Sequence, residues 1–439
     1  MVIDLDAHPS ASEAPSRRRR LADLVAARPV AIVAVLLMVL TLGGSAARLP
    51  GLRRVLAVEN TSGVFALSPT ALLTAEFGPA PGRQATVRHH SLDGASSRWS
   101  TELPQTVGSL DVVASAEVLA VGPALVLMTT SVDLLRTTFL DSGTGEILWS
   151  TRTDSVLRLA DTGALMTGGA TDSVVLRRAD LRTGRTLWSR ELGSGGYLDA
   201  GDPAAGRLSH IVTVDRHGRA AVLGFADGAV LATADLGVAP SRTDDDGLSD
   251  FAMYAAVGAH LYLARGTDGS GSLTAYRLPD LQQLWRTSLA PQGRPTWCGS
   301  RHLCVATATG LTVVDSDSGN IRWSDRRWRW GADTRAIGLP GPPRIAAGDG
   351  RPGAGSALLD PATGTTLTLL GTSTFVGTTL LRPDPTRFGR TWVQVTGSRN
   401  DIRTVGAVDT IAPGRCAANA EYLACPTTSG RLHVWRIPT

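Results

Sequence analysis

The four cysteines of this 439-residue chain come in two close pairs, and their spacing offers two kinds of chemistry. Cys298 lies near Cys304, and Cys416 lies near Cys425, so that each pair flanks a segment of hairpin length. Cysteines placed in this way either form a disulfide or bind a metal, for which His302 would be a further ligand of the first pair. Neither spacing is the two-residue spacing typical of zinc sites. We therefore predict two disulfides, each within its own pair, and no metal site.

The basic residues exclude several classes of enzyme. All 43 are arginine and the chain contains no lysine, so it lacks the lysine of a nucleotide-binding P-loop, of a protein kinase and of a Schiff-base enzyme. The eight histidines are scattered, and their spacing does not assemble a catalytic site. The formal net charge of +4 is small, so we expect no nucleic-acid partner.

The densest cluster of side chains suited to binding is the segment 326–330. It consists of Arg326, Arg327, Trp328, Arg329 and Trp330. Arginine and tryptophan are enriched in binding hot spots, and they attract each other through cation–π contacts. One interpretation is a surface patch for an anionic polymer or a partner protein. The alternative is a strand end between structural repeats, where the arginines stack on the tryptophan rings.

A repeated pattern of Asp, Gly and Trp, spaced four residues apart, indicates which elements position these residues. The copies are Asp141, Gly145 and Trp149; Asp180, Gly184 and Trp188; Asp315, Gly319 and Trp323; and, without the tryptophan, Asp360 and Gly364. An aspartate can hold a turn by accepting hydrogen bonds from its backbone, and a glycine supplies positive φ. Each copy predicts a β-hairpin with the tryptophan on the returning strand, where we expect it to be largely buried between repeats.

The repeat length predicts a β-propeller. One hairpin cannot bury its own apolar face, but a ring of similar units can, and positions equivalent to the tryptophan recur about every 40–50 residues. We predict an all-β fold with seven or eight blades, of which eight is favoured. The final unit stops one strand short, and an early strand around Val55–Val58 would complete it and remove an exposed edge. The segment 373–412 carries too little pattern to assign.

The N-terminal region predicts a membrane anchor. Residues 29–47 carry no charge, and a helix of this length rises about 28 Å, near the thickness of the hydrocarbon core. Arginines precede the segment at 17–20 and 28, which favours a cytoplasmic N-terminus. The alternative is a signal peptide cleaved after the small residues Ser45, Ala46 and Ala47.

These observations predict four regions and a cell-membrane location. They are a disordered cytoplasmic tail at 1–28, a transmembrane helix at 29–47, a juxtamembrane linker at 48–60 and an extracytoplasmic propeller at 61–439. The expected partners are the membrane itself, through this single-pass anchor, and an envelope protein or an anionic polymer.

The hairpins at 138–149 and 179–188 resemble the repeat of PQQ-like, or quinoprotein-type, β-propellers. In that repeat an apolar strand leads to an Asp, a Thr-Gly turn and a Trp that packs between neighbouring blades. The family includes dehydrogenases that use pyrroloquinoline quinone and calcium, and non-catalytic propellers that are often membrane-anchored. The dehydrogenases carry two adjacent cysteines over the quinone, and this chain has no adjacent cysteines. We therefore expect no cofactor and a non-catalytic binding or scaffolding role, with a quinone-dependent oxidoreductase as the alternative.

Overall fold

The computed structural model describes residues 51–438 with short gaps, and this part of the chain is built almost entirely from β-strands. The gaps are residues 61, 78–84, 95–96, 104–114, 122–123, 131–134, 153–154, 161–162, 169–173, 193–196, 200–209, 242–249, 268–269, 300, 335–342, 350–354 and 397–400. A short 3-10 helix, Pro413–Arg415, precedes the last three strands.

The strands follow one another in groups of four, after a first strand β1 (Arg53–Glu59). The first sheet is β2 (Val64–Leu67), β3 (Ala71–Phe77), β4 (Ala85–Ser91) and β5 (Ser97–Leu103). The second is β6 (Ser115–Val121), β7 (Ala124–Thr130), β8 (Leu135–Asp141) and β9 (Ile147–Arg152). The third is β10 (Ser155–Ala160), β11 (Gly163–Gly168), β12 (Val175–Asp180) and β13 (Thr186–Glu191). The fourth is β14 (Tyr197–Asp199), β15 (His210–Val214), β16 (Arg219–Gly224) and β17 (Val230–Asp235).

Five further sheets complete the described chain. The fifth is β18 (Asp250–Val257), β19 (His260–Thr267), β20 (Ser270–Arg277) and β21 (Gln283–Ser288). The sixth is β22 (Thr296–Trp297), β23 (His302–Thr307), β24 (Gly310–Asp315) and β25 (Ile321–Asp325). The seventh is β26 (Trp330–Asp333), β27 (Ile345–Gly348), β28 (Ser356–Leu359) and β29 (Thr366–Gly371). The eighth is β30 (Thr374–Val376), β31 (Thr379–Pro383), β32 (Arg390–Thr396) and β33 (Ile402–Asp409). The closing sheet joins β34 (Ala417–Ala418), β35 (Tyr422–Pro426) and β36 (Arg431–Arg436) to β1.

Burial shows how each sheet is oriented. The second and third strands are the most buried, as in β27 and β24, where every residue is buried. Fourth strands alternate between exposed and half-buried residues, as in β13, β17 and β21, so one of their faces meets solvent. First strands of successive sheets contact one another, for example β14 with β18 and β18 with β22. The first strands therefore lie towards the axis of a ring and the fourth strands at its periphery.

Apolar side chains between successive sheets close the ring. Between the fourth and fifth sheets, for example, Val222 packs with Tyr254 and Leu263. A cluster of this kind joins every pair of successive sheets in the described chain, including the closing sheet and the first, where Leu432 meets Leu72. The prediction of an all-β propeller is confirmed.

The predicted closing strand is β1. It pairs antiparallel with β36, from Arg53 opposite Arg436 to Glu59 opposite Arg431. The region predicted as a juxtamembrane linker at 48–60 is therefore not a linker beyond residue 52, and the propeller begins at 53 rather than at 61. The physical reason is that β36 would otherwise leave a row of backbone groups unpaired at the edge of the last sheet.

The described strands form nine four-stranded sheets, one more than the eight favoured from sequence. Seven of them hold the positions equivalent to the repeat tryptophan, and another is the closing sheet. The remaining one is the eighth sheet, which occupies the segment 373–412 that sequence pattern could not assign. Its inner strand β30 has three residues and it lacks the Asp-Gly-Trp hairpin, so it carries the weakest repeat signal.

Among the described residues, no helix combines the length and apolar character that crossing a membrane requires. The predicted tail at 1–28 and the predicted span at 29–47 lie outside these residues.

We predict that Leu56→Ala in β1 weakens closure of the ring. Leu56 is 7% exposed and packs with Leu432 and Val434 of β36, so the substitution leaves a cavity and should lower the free energy of unfolding by about 2–5 kcal/mol. Denaturant unfolding of the full chain measures the change. Glu59→Ala, at an exposed position of the same strand, is the control and should change stability little. Equal stability of Leu56→Ala and the parent chain would contradict the closing role of β1.

Candidate functional site

An aspartate holds the turn between the third and fourth strands of the repeat sheets. After β8, Asp141 Oδ1 accepts hydrogen bonds from the backbone N–H groups of Gly143 (2.9 Å) and Thr144 (2.9 Å). Gly145 then adopts φ +76°, in the left-handed region that glycine tolerates. The equivalent carboxylates accept the same type of bond at Asp180, Asp315 and Asp360. These oxygens are occupied by their own turns.

Asp315 is the most buried of the four carboxylates, with 2% exposure. Burial alone would raise its pKa, but hydrogen bonds from Arg322 (2.6 Å) and from the hydroxyl and backbone of Ser318 hold the pKa far below its usual value of 3.8. Because the pKa is lowered on folding, the ionised form stabilises the fold above pH 3.8, and this contribution is lost as the pH falls through the folded pKa. Asp315 is thus a structural group.

Each repeat tryptophan docks on the turn of the next sheet. The indole Nε1 of Trp188 donates to the carbonyl of Phe225 (3.0 Å), and its ring lies against Gly228. The equivalent contacts join Trp99 to Ser142 and Gly145, Trp149 to Leu181 and Gly184, Trp285 to Ser316 and Gly319, and Trp323 to Pro361 and Gly364. These tryptophan side chains therefore lie between neighbouring repeats, as the sequence predicted. They are half-buried rather than largely buried, because they sit on outer strands.

Both predicted disulfides are present. Cys298 is bonded to Cys304 in the sixth sheet, and Cys416 is bonded to Cys425 in the closing sheet. Each disulfide belongs to an apolar cluster between two sheets. The alternative of a metal site with His302 does not hold, because both thiols of that pair are consumed.

The arginine–tryptophan segment 326–330 does not form one surface. Trp328 is 5% exposed and packs in the cluster between the sixth and seventh sheets. Arg327 pairs with Asp325 (2.6 Å) and lies 5.6 Å from the centre of the Trp328 ring. Arg329 donates to the carbonyl of Ala308 (2.7 Å). Arg326, Arg327, Arg329 and Trp330 are exposed, but Trp328 is buried and both Arg327 and Arg329 are held by groups of the chain itself, so this segment agrees with the strand-end interpretation.

One hydroxyl–imidazole pair lies within the first sheet. Thr74 Oγ1 is 3.2 Å from His90 Nε2, and such a pair can generate a nucleophile. Thr74 is 1% exposed, however, so a substrate cannot reach its hydroxyl. Burial, reinforced by the positive charge of Arg88, lowers the pKa of His90. The pair therefore contributes to packing.

A polar cluster that sequence reasoning missed joins the inner strands of the fourth and fifth sheets to the connection that precedes the sixth sheet. The Tyr197 hydroxyl donates to Asp199 Oδ2 (2.5 Å) and accepts from the backbone N–H of Ala256 (2.9 Å). Arg294 pairs with Asp199 and donates to the Tyr197 hydroxyl (2.9 Å). Burial, and then the charge of Asp199, raises the pKa of Tyr197 and keeps its hydroxyl protonated. The members lie far apart in sequence, so no local motif marks them, and their charges satisfy one another.

Two clefts lie at the ring edge opposite the aspartate turns. The mixed cleft, of about 200 Å³, lies between the third and fourth sheets and carries Arg190 and Arg219 together with Glu191 and Asp215. The basic cleft, of about 500 Å³, lies between the fifth sheet and the connection that precedes it. Its charged lining residues are Arg265 and Arg286, and its described lining includes no carboxylate. The basic cleft is the best candidate for a binding site.

The other residues that line the basic cleft are small, and serines supply their polar side chains. Its serines are Ser241, Ser270, Ser272 and Ser288. The Gly-Ser-Gly-Ser run at 269–272 signals this wall in the sequence, but nothing in the sequence brings it near the two arginines.

Comparison with known proteins adds likeness of fold only. No protein-family model matches the chain, and no curated protein matches it in sequence. BamB from Moraxella catarrhalis is a similar solved structure, with 15% identity, TM-score 0.46, and coverage of 88% of this chain and 98% of that one. Sqt1 from Saccharomyces cerevisiae has 11% identity and a TM-score of 0.45, and the match covers 89% of this chain and 100% of that one. The quinohemoprotein alcohol dehydrogenase ADHIIG from Pseudomonas putida HK5 has 11% identity and a TM-score of 0.40, and the match covers 65% of this chain and 62% of that one. Likenesses this distant carry no argument about function.

We predict that Gly228→Ala destabilises the ring more than Gly237→Ala does. Both glycines have positive φ, +69° and +65°, so alanine costs about 1–2 kcal/mol of backbone strain at either position. At Gly228 the added Cβ would also lie 2.8 Å from the Trp188 ring, whereas at Gly237 no atom lies within 4 Å. The excess loss, about 1–3 kcal/mol in the free energy of unfolding, therefore measures the docking contact. Thermal and denaturant unfolding provide the comparison, and equal losses would rule out a stabilising dock.

Proposed function

We propose that this chain is a non-catalytic binding or scaffolding propeller of the PQQ-like type, with its ring outside the cytoplasm and an anchor at 29–47 in the cytoplasmic membrane. The PQQ-like type is supported by the turn of Asp and Gly on which a tryptophan docks, as the resemblance of the repeat implies. The orientation is supported by the arginines that precede the apolar segment.

The observation that carries the proposal is the pairing of all four cysteines. Each disulfide lies within one sheet and is surrounded by the apolar cluster that joins this sheet to its neighbour. Cytosolic thiols are kept reduced, whereas exported chains oxidise such pairs. Two disulfides built into the interfaces of the ring support folding in an oxidising compartment.

A binding role is supported by the arrangement of charge. The aspartates of the turns are held by backbone N–H groups, and the Tyr197 cluster neutralises its own charges. The basic cleft instead presents arginines to solvent from strands of a closed ring. The rigid strands fix the positions from which these side chains emerge, which favours recognition. An anionic polymer or an acidic partner of the cell envelope fits this surface.

The quinone-dependent alternative gains no support from the disulfides. In the enzymes that the repeat resembles, adjacent cysteines cover the quinone. Here the bonded residues are six and nine positions apart, and they lie in clusters between sheets. These residues do not fit a quinone cover, so no redox step is assigned to the chain.

We predict that protease added to intact protoplasts digests the ring and leaves a membrane-bound N-terminal stub. The expected reason is that the apolar segment spans the membrane with the propeller outside. Immunoblotting with one tag at the N-terminus and another at the C-terminus measures the fragments, and a cytosolic protein serves as the control for lysis. Protection of the C-terminal tag would overturn the topology, and a soluble product that begins near Arg48 would support a cleaved signal instead.

We predict that non-reducing peptide mapping of the protein purified from its membrane finds Cys298 linked to Cys304 and Cys416 linked to Cys425. Each bond closes a short loop and should stabilise the ring by about 2–3 kcal/mol on a loop-closure model. The measurement uses alkylation before and after reduction. Free thiols in the native protein, or a link between the two pairs, would contradict an oxidising location.

A further inference from the structure

The register of the fifth sheet places two arginines on one face. Arg265 in β19 pairs with Ser272 in β20, and Ser272 pairs with Ser288 in β21. Arg286 precedes Ser288 by two residues, so its side chain emerges on the same face. With strands about 4.8 Å apart, the two arginines are rooted about 10 Å apart across the sheet and about 7 Å apart along it. Two extended arginine side chains together span this separation, so both guanidinium groups can reach one ligand.

This face changes from apolar to polar along its length. Tyr254 and Leu263 pack against the fourth sheet through Val222 and Val214. Further along the same face, Arg265, Ser272 and Ser288 take the corresponding positions and line the basic cleft. The packing that joins the two sheets therefore ends where the cleft begins.

The opposite wall of the basic cleft is fixed by backbone hydrogen bonds. Ser241 donates its backbone N–H to the carbonyl of Ala252 (2.9 Å), and the Ala252 N–H donates to Ser241 Oγ (2.7 Å). The Tyr254 hydroxyl donates to the carbonyl of Val238 (2.5 Å). The connection at 238–241 is thus attached to β18, which gives the cleft a defined width.

The charges of the basic cleft lack partners within the described part of the chain. Arg265 and Arg286 are exposed, and neither forms an ion pair or a side-chain hydrogen bond with a described residue. Ser272 is 6% exposed and its hydroxyl also makes no hydrogen bond there. Other exposed arginines pair with a nearby carboxylate, as Arg277 does with Asp280 and Arg301 does with Asp317. In the basic cleft two arginines line one concave surface and no carboxylate stands among the described lining residues, so their positive charge is available to a ligand.

These groups select a ligand by chemistry. Guanidinium forks match the oxygens of phosphate, and serine hydroxyls both donate to and accept from alcohols. A cleft of about 500 Å³ is larger than one phosphate and falls in the range of small-molecule sites. We propose that the basic cleft binds a phosphate ester of a polyol or sugar, with Arg265 and Arg286 on the phosphate and the serines on the hydroxyl groups. The inference rests on the proposed binding role and names its ligand class.

Isothermal titration calorimetry of the purified full chain tests this site with glycerol 3-phosphate, inorganic phosphate and glycerol. We expect glycerol 3-phosphate to bind more tightly than inorganic phosphate, and glycerol not to bind. Arg265→Ala and Arg286→Ala should each weaken binding about tenfold to a hundredfold, because each removes charge-assisted hydrogen bonds. Arg265→Lys should recover only part of the affinity, because it keeps the charge but loses the planar fork.

A matched control lies in the neighbouring cleft. Arg190→Ala removes one arginine from the mixed cleft, whose carboxylates balance its charge, and should leave the affinity unchanged. The titration is repeated with Asp244, Asp245 and Asp246 replaced by Asn. These three carboxylates lie outside the described residues, and the replacement removes any competition between them and the ligand for the two arginines. Absence of binding in both backgrounds, or equal affinity after Arg265→Ala and Arg286→Ala, would overturn the proposal.

The source of the phosphate ester is decided by a second set of probes. Poly(glycerol phosphate) that binds more tightly per chain than the monomer would identify a polymer, and equal affinity per phosphate would identify a small molecule. Both results support the site. Failure of every phosphate probe would leave the protease topology of the ring unchanged, so the binding site and the location of the propeller are tested separately.

Discussion

The contact between a tryptophan and the glycine turn of the next sheet is the constraint on which the ring depends. The indole can lie on the turn only where a Cβ is missing, and the turn can close only where φ is positive, so one glycine meets both demands. At Gly184 and Gly228 the added Cβ would come within 3 Å of the docked ring. At Gly184 the carboxylate of Asp180 fixes the turn, and the carbonyl of the next residue, Leu181, accepts the indole N–H. At Gly228 the carbonyl of Phe225 accepts in the same way, with Gly224 in the place of the aspartate. The aspartate, glycine and tryptophan of the repeat therefore stabilise one and the same contact between neighbouring sheets.

Interfaces without a docked tryptophan use other interactions. The fourth sheet has Ala232 at the tryptophan position, and its interface with the fifth sheet holds the cluster of Tyr197, Asp199 and Arg294 next to a large apolar core. The seventh and eighth sheets meet through the edge-on rings of Trp330 and Phe375, 6.5 Å apart. The eighth and closing sheets share the cluster that contains Cys416 and Cys425. Each of these interfaces thus buries apolar side chains, and what accompanies them differs: a polar cluster, an aromatic pair or a disulfide.

Local signals explain what the sequence could predict. The turns, the disulfides and the closing strand each depend on residues within one hairpin or on an unpaired edge, so their spacing reveals them. The eighth sheet was not assigned because its segment lacks the turn residues that mark the others. The segment 326–330 looked like one patch because its residues are adjacent, but the chain there buries Trp328 and exposes Arg326. Arg265 and Arg286 share a face only through the register of three strands.

The basic cleft follows from the geometry that builds the ring. Side chains near the aspartate turns are needed for docking, and those in the middle of a sheet are needed for the apolar clusters. The opposite edge carries neither demand, so polar residues there, such as Arg265 and Ser272, do not weaken an interface. It is also the interface between the fourth and fifth sheets, where no tryptophan docks, that opens into this cleft. Substitutions at this edge can therefore change the lining of the basic cleft without loss of the contacts that hold the sheets together.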